Sequence, residues 1–396
     1  MRTLLLFVSV LSASAACALP RAAGDPAPPA ADDPAQGEVP LPAADGWNAR
    51  LLIDNDVGIW TVKPFQVFPQ YASPEVVGLD DKGRCIVLVS YSGKWTPLPR
   101  VSDGKWLGGL AHADLDPRAA GAELYTGGQL GNLYQLRAYP TGALDSRLIG
   151  HFPGREIHTL IPLAGRGLLV FTRPGGLWLM TPDGADGEWR QTSYGELDGR
   201  IRDAVPVDIP GTGGPAVAAV TRAGWLRLMR LGEHGPEWQT IWQTEMGLGR
   251  LAWDPERPSV LYHTLDDGRV MRHERGAAGA WKHETIYQGP QGPRGLVAGR
   301  FSDEPGVDET VAVFGYSGKV QLLSRRGAAW SAETIFQDRD KGHWLAVAEL
   351  DGRNGTRELL ASGYGARIVM LARPPGYGAA EGALPPADEA AQEGAR

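Results

Sequence analysis

The sequence predicts an all-β chain: a seven-bladed β-propeller of four-stranded blades, closed by an N-terminal strand that completes the last blade. Three observations predict it. Glycine recurs at Gly83, Gly131, Gly176, Gly224, Gly268, Gly318 and Gly365, every 44 to 50 residues, each ahead of a short apolar run such as Leu133-Tyr-Gln-Leu136. An apolar position keeps the same beat at Val67, Leu115, Leu163, Ile209, Phe301 and Leu350, with Trp253-Asp254 in the remaining place. Tryptophan stands at the last strand of a unit at Trp95, Trp189, Trp238, Trp281 and Trp330. A glycine before an apolar run reads as a hairpin turn opening a strand. A β unit repeated at this length cannot bury its own apolar faces alone, and seven copies bury them by closing into a ring.

In chain order, residues 1–17 hold a positive start, an apolar run from Leu4 to Leu11 and the small residues Ser-Ala-Ser-Ala-Ala before Cys17, the pattern of an export signal. The residues ahead of Cys17 resemble a bacterial lipobox, with Ser14 where leucine is usual. Cys17 is then a lipidation site, or the signal is cleaved without a lipid. Residues 18–46 are rich in Pro, Ala and Asp and read as a tether without a core. Trp47-Asn-Ala-Arg-Leu-Leu-Ile53 has the pattern of a fourth strand but precedes the first strand of unit one, Ile59 to Phe68. The seventh unit ends after its third strand, near Leu371, where Arg373-Pro-Pro-Gly376 follows. Pairing 47–53 with 367–371 removes both open edges. The propeller is thus expected over 47–373, and the Ala/Glu/Pro-rich residues 374–396 form a disordered tail.

Composition narrows the function. With 39 basic and 46 acidic residues the net charge is −7, spread in mixed sign, so no broad basic face for nucleic acid is expected. Cys85 sits in an apolar strand and reads as a buried thiol. His263, His273 and His283 fall on successive strands of one unit beside Tyr262, Arg272 and Lys282, which suit an exposed blade face better than a zinc trio. Serine-hydrolase, zincin and Walker-type motifs do not occur in the sequence.

Between the first two strands, Asp114-Leu-Asp116 is followed by Glu123, and Glu349-Leu-Asp351 by Glu358. The spacing gathers carboxylates around one loop, as hard cations require. The pattern resembles the FG-GAP/VCBS propeller repeats, whose loops often bind calcium, and so identifies a bacterial exported member. That resemblance spans all seven units by spacing and two by loop chemistry. It makes Asp114, Asp116, Glu123, Glu349, Asp351 and Glu358 the candidate Ca2+ ligands. Arg118 and Arg353 replace the third acid, so an arginine bridging the remaining carboxylates is expected in place of a metal, and no cofactor is assigned.

In a propeller the first strands line the central channel, and ligands lie at its mouth. Counting seven residues back from the apolar position gives Trp60, Gly108, Glu156, Arg202, Gly247, Arg294 and His343, with Arg155, His158, Asp203 and Arg250 nearby. Trp60, Glu156, Arg202, Arg294 and His343 would clamp an anionic sugar or carboxylate, with Trp60 or Trp344 as a stacking face. The expected function is a non-catalytic, monomeric, exported propeller, periplasmic or anchored at the outer membrane by lipid, binding a protein or glycan through one ring face. The alternative is a uronate-lyase-like enzyme with His158 or His343 as base.

Overall fold

Seven innermost strands, Ile59–Phe65, Leu107–Ala113, Glu156–Leu163, Ile201–Val207, Leu248–Trp253, Pro293–Ala298 and Gly342–Ala348, contact one another in sequence, and the last returns to the first. Each begins a separate antiparallel sheet, so the chain is an all-β seven-bladed propeller. The computed structural model describes residues 39–374, except 72, 92–93, 99–100, 119–120, 140, 184–186 and 351–355. The expected signal, Cys17, Asp351, Arg353 and the tail from 375 lie outside the described residues.

The second strand of each blade, for example Ala216–Thr221, is buried because both sheet faces meet a neighbouring blade, with Arg173 at the end of Gly167–Arg173 the one exposed position among them. Apolar clusters fill the blade–blade seams. Between blades 3 and 4, Leu169, Phe171 and Leu177 pack against Val217, Trp225 and Met229. The fourth-strand tryptophans explain themselves here. Trp95, Trp189, Trp238, Trp281 and Trp330 each pack backward on the seam with the preceding blade, a large apolar area for little rotamer entropy.

The recurrent glycine closes the turn between second and third strands. Its carbonyl accepts a backbone N–H from the end of the fourth strand, as in Asp103 N to Gly83 O at 2.9 Å and Thr244 N to Gly224 O at 2.8 Å. At Gly224 φ is +87°, and a Cβ would lie 1.9 Å from the Thr244 carbonyl oxygen, which forbids any side chain. The same bond runs from Leu197 N to Gly175 O and from Asn55 N to Ala366 O. The structural equivalents in blades 3 and 7 are therefore Gly175 and Ala366, one residue from the expected Gly176 and Gly365.

Closure follows the expected route. Asn48–Asp54 pairs with Arg367–Ala372 in register from Asn48↔Ala372 to Asp54↔Arg367. Trp47 is buried in the seam between blades 6 and 7, with the Arg373 guanidinium 4.5 Å from its ring centroid. The expected tether, 18–46, is too long at its far end. Val39–Leu41 adds a fifth strand outside Asn48–Asp54, and Ala44 N donates to Ile335 O at 3.0 Å. Leu41, Ala43 and Ala44 pack on the blade 6/7 core, and this burial orders them.

Candidate functional site

The loops between first and second strands are built on a buried glutamate. Eight residues after the apolar marker, its carboxylate accepts the marker's own backbone N–H: Val67 N to Glu75 Oε2 at 2.6 Å, Leu115 N to Glu123 Oε2 at 3.4 Å, Leu350 N to Glu358 Oε2 at 2.9 Å. Glu75 also takes Phe68 N at 3.1 Å, and Glu123 takes the Tyr125 hydroxyl at 2.9 Å. Burial, partly offset by these bonds, raises the Glu75 and Glu123 carboxyls above their ordinary range. Asp116 is fully buried and gripped by Arg118, whose Nε and Nη2 reach its two oxygens at 2.8 and 2.6 Å, with Arg137 and Gln135 on the same carboxylate. Burial pushes the Asp116 carboxyl up, but the bonds from Arg118 and Gln135 win and hold it far below the usual range. Asp114 and Glu349 are exposed. The described loop carboxylates thus serve backbone and guanidinium groups. No cluster of three His, Cys, Asp or Glu among the described residues is arranged to hold a metal ion.

The channel mouth carries the other candidates. Every innermost strand has a β-bulge near its start, one extra residue inserted between paired positions. A bulge re-aims the inserted side chain. The inserted residues are Trp60, Gly108, His158, Arg202, the Gly249-Arg250 pair, Arg294 and His343. Trp60, Arg202, Arg294 and His343 were reached by counting, whereas blades 3 and 5 were missed. There Leu163 still lies inside its paired strand, opposite Gly167, and Asp254 directly follows Trp253, which pairs with Leu261, so a fixed count of seven lands early on Glu156 and Gly247. Glu156 is instead the first residue of its strand and takes Arg173 Nη1 at 3.1 Å. Gly108 leaves room for the Trp106 indole, whose ring atoms lie 2.5 Å from where its Cβ would be.

A second set of mouth residues comes from the turns between second and third strands. Two positions before the turn residue stand Asp81, Gln129, Arg173, Arg222, Asp266, Tyr316 and Tyr364. They pair with the bulge residues: Trp60 Nε1 donates to Asp81 at 2.5 Å, Arg294 Nε to the Tyr316 hydroxyl at 3.3 Å. Asp266 Oδ1 accepts both Arg202 Nη1 at 2.5 Å and Arg294 Nη1 at 3.1 Å.

These groups enclose a cavity of about 310 Å3 lined by Arg200, Arg202, Arg222, Arg250 and Arg294, together with His158, His343 and Tyr316. Among the described lining residues there is no carboxylate. Arg250, which lines the cavity, is buried, donates to the Arg294 and Arg202 carbonyls at 2.5 and 3.2 Å, and stacks 4.3 Å over Trp344. Burial, with Arg294 nearby, lowers Arg250 to about 10, so it stays charged at neutral pH. Burial and the surrounding guanidiniums drive His158 and His343 far below the ordinary histidine range, hence neutral. His343 Nδ1 lies 2.9 Å from the Trp60 carbonyl, which can only accept, so Nδ1 carries the proton and Nε2 keeps its lone pair. Trp60 meets His343 edge-on at 4.4 Å and Tyr364 at 4.8 Å. Trp344, expected as a stacking face for a ligand, is covered by Arg250.

Of His263, His273 and His283, only His283 lies on an exposed face. His263 and His273 are fully buried and stacked at 4.8 Å, with Trp242 of blade 4 5.0 Å from His263 and His283 Nδ1 2.7 Å from His273 Nδ1.

No family model and no curated protein matches this sequence. Among solved structures the chain is similar to the WD40 β-propeller domain of Doa1, with a TM-score of 0.58 at 11% identity over 83% of this chain and 97% of that one. At that identity the likeness shows the propeller fold.

Proposed function

We propose that the chain is a non-catalytic binding propeller that holds a protein or glycan partner against the ring face bearing the arginine pocket, with an anionic group of the partner seated in it. The observation that carries this is five guanidiniums around one cavity whose described lining supplies no carboxylate. Arg202 and Arg294 share Asp266, and Arg250 donates to two backbone carbonyls; Arg200 and Arg222 add positive charge beyond these pairs, and a surplus of guanidiniums in a partly dehydrated site favours an incoming anion. The propeller fold, with its broad ring faces, supports a docking role. Repeat spacing and the residues before Cys17 support an FG-GAP/VCBS-type protein, exported and held at a membrane by lipid; mass spectrometry of the mature N-terminus tests that placement. With net charge −7, the protein as a whole is repelled by a carboxylated matrix. Retention on such a matrix at low salt that is lost in an R200Q/R222Q variant supports the reading. Absence of retention, or retention indifferent to the two substitutions, refutes it.

A uronate-lyase-like activity keeps one specific observation in its favour: His343, whose Nδ1 proton leaves Nε2 as the basic nitrogen, lines the arginine pocket beside groups able to neutralise a carboxylate. Incubation with polyuronates would then yield an unsaturated product, and His343→Asn would abolish it.

A further inference from the structure

The mouth residues are segregated around the ring. Blades 7, 1, 2 and 3 supply His343, Trp60, the Trp106 ring lying over Gly108, and His158, which stands 5.9 Å from Trp106. Blades 4, 5 and 6 supply Arg202, Arg250 and Arg294. Among these positions one contiguous arc is therefore aromatic and the opposite arc cationic, with Tyr316 beside Arg294 on the cationic side and Arg173 beside Glu156 on the other. Trp60, Trp106, His158 and His343 are each partly exposed; His158 and His343 line the cavity, and Trp60 and Trp106 stand beside them at its rim.

We propose that the pocket takes an acidic sugar residue, a pyranose carrying a carboxylate, with the ring against the aromatic arc and the carboxylate toward the arginine arc. Two observations beyond charge select this class. The cavity, about 310 Å3 and lined by Arg250 stacked on Trp344, lies at the low end of the ~300–1,000 Å3 range of small-molecule sites. It admits one sugar ring but no strand or helix of a protein partner. The neutral rings of His343 and His158, which both line the cavity, each keep one nitrogen as an acceptor among the guanidinium donors. An anion with no hydrogen to donate leaves these acceptors unused, whereas a sugar hydroxyl donates to them. Within the arginine arc, Arg202 and Arg294 are already bridged by Asp266, which leaves Arg200 and Arg222 as the principal partners for an incoming carboxylate.

This inference rests on the anion-binding reading above, and the experiment separates the two. The full chain is titrated by calorimetry with a galacturonate trimer, a glucuronate-containing trimer, the carboxyl-reduced form of each, and inorganic phosphate. The expected result is saturable binding of at least one acidic trimer and at least tenfold weaker binding of its reduced form and of phosphate. W60A, with W60F as the conservative control, and R200Q/R222Q should each weaken the acidic trimer at least tenfold. Phosphate binding as tightly as both trimers, with W60A without effect, overturns the sugar assignment while leaving an anion site. No binding of any anion overturns both. The comparison of ligands on the unmodified chain needs no variant to fold.

Discussion

Lowering the pH from 7 to 5 should destabilise this propeller through two histidines that nothing in the fold allows to ionise. His263 and His273 are fully buried between blades 4 and 5, and each has an Nε2 without a hydrogen-bond partner. Burial foremost, with Arg269 and His283 beside it, lowers His263 to about 3. Burial, with His263 and His283, lowers His273 to about 2. Both values lie below that of an unfolded histidine, about 6.5, so the native state favours the neutral ring. The stability this confers is full above pH 6.5 and is lost as pH falls below it, because the unfolded chain takes up protons that the folded chain refuses. At pH 5 each ring has given up about 2 kcal/mol relative to pH 7, and the pair about 4 kcal/mol. Denaturant unfolding at pH 7, 6 and 5, for the full chain and for His273→Phe, reads this directly. Taking the difference between the two proteins cancels the other titrating groups, and that difference should grow by about 2 kcal/mol across the range. A pH dependence identical in the variant and its parent would show that burial does not suppress protonation at His273.

Three further outcomes follow from the packing. Glu75→Ala orphans the Val67 and Phe68 amides and should cost about 1–3 kcal/mol for each, whereas Glu75→Gln, which keeps an acceptor oxygen, should cost visibly less; equal losses in thermal or urea unfolding would contradict the capping role. Gly224→Ala forces a left-handed residue against the Thr244 carbonyl and should lose at least about 1–2 kcal/mol, measured by the same unfolding curves; a neutral result would mean the turn can rearrange. Removing residues through Asp54 strips Arg367–Ala372 of its partner strand and exposes a pairing edge. Size-exclusion chromatography should then show oligomers or aggregate, and a well-behaved monomer would argue against terminal closure as a requirement.

The ring was legible in the sequence because its period is enforced physically: a glycine where no Cβ fits, a tryptophan on each of five outer strands, and a long-range partner for residues 47–53. The mouth was only half legible. A β-bulge adds a residue without altering the apolar pattern, so counting from Leu163 and Asp254 reached Glu156 and Gly247 instead of His158 and Arg250. Arg222, Asp266 and Tyr316 did carry a signal, since each stands two residues before a recurrent glycine, a position with no hydropathy of its own to mark it. Arg200 and Trp106, in the links between blades, had none. The loop acids read as cation ligands because oxygen-rich spacing is the same whether the donor to them is a metal or a backbone N–H. Only the coordinates separate the two.

Asn48–Asp54 is among the first strands to leave the ribosome, and its partner, Arg367–Ala372, is the last. Some 300 residues must be synthesised between them, and loop closure over that span is entropically opposed. The nascent chain therefore accumulates blades as an open arc whose final seam cannot form until Arg367–Ala372 has been made. During that interval the early strand has only Val39–Leu41 beside it, and its other edge waits for Arg367–Ala372. The order of synthesis thus runs opposite to the order of closure, and the last act of folding is to fetch the beginning of the chain.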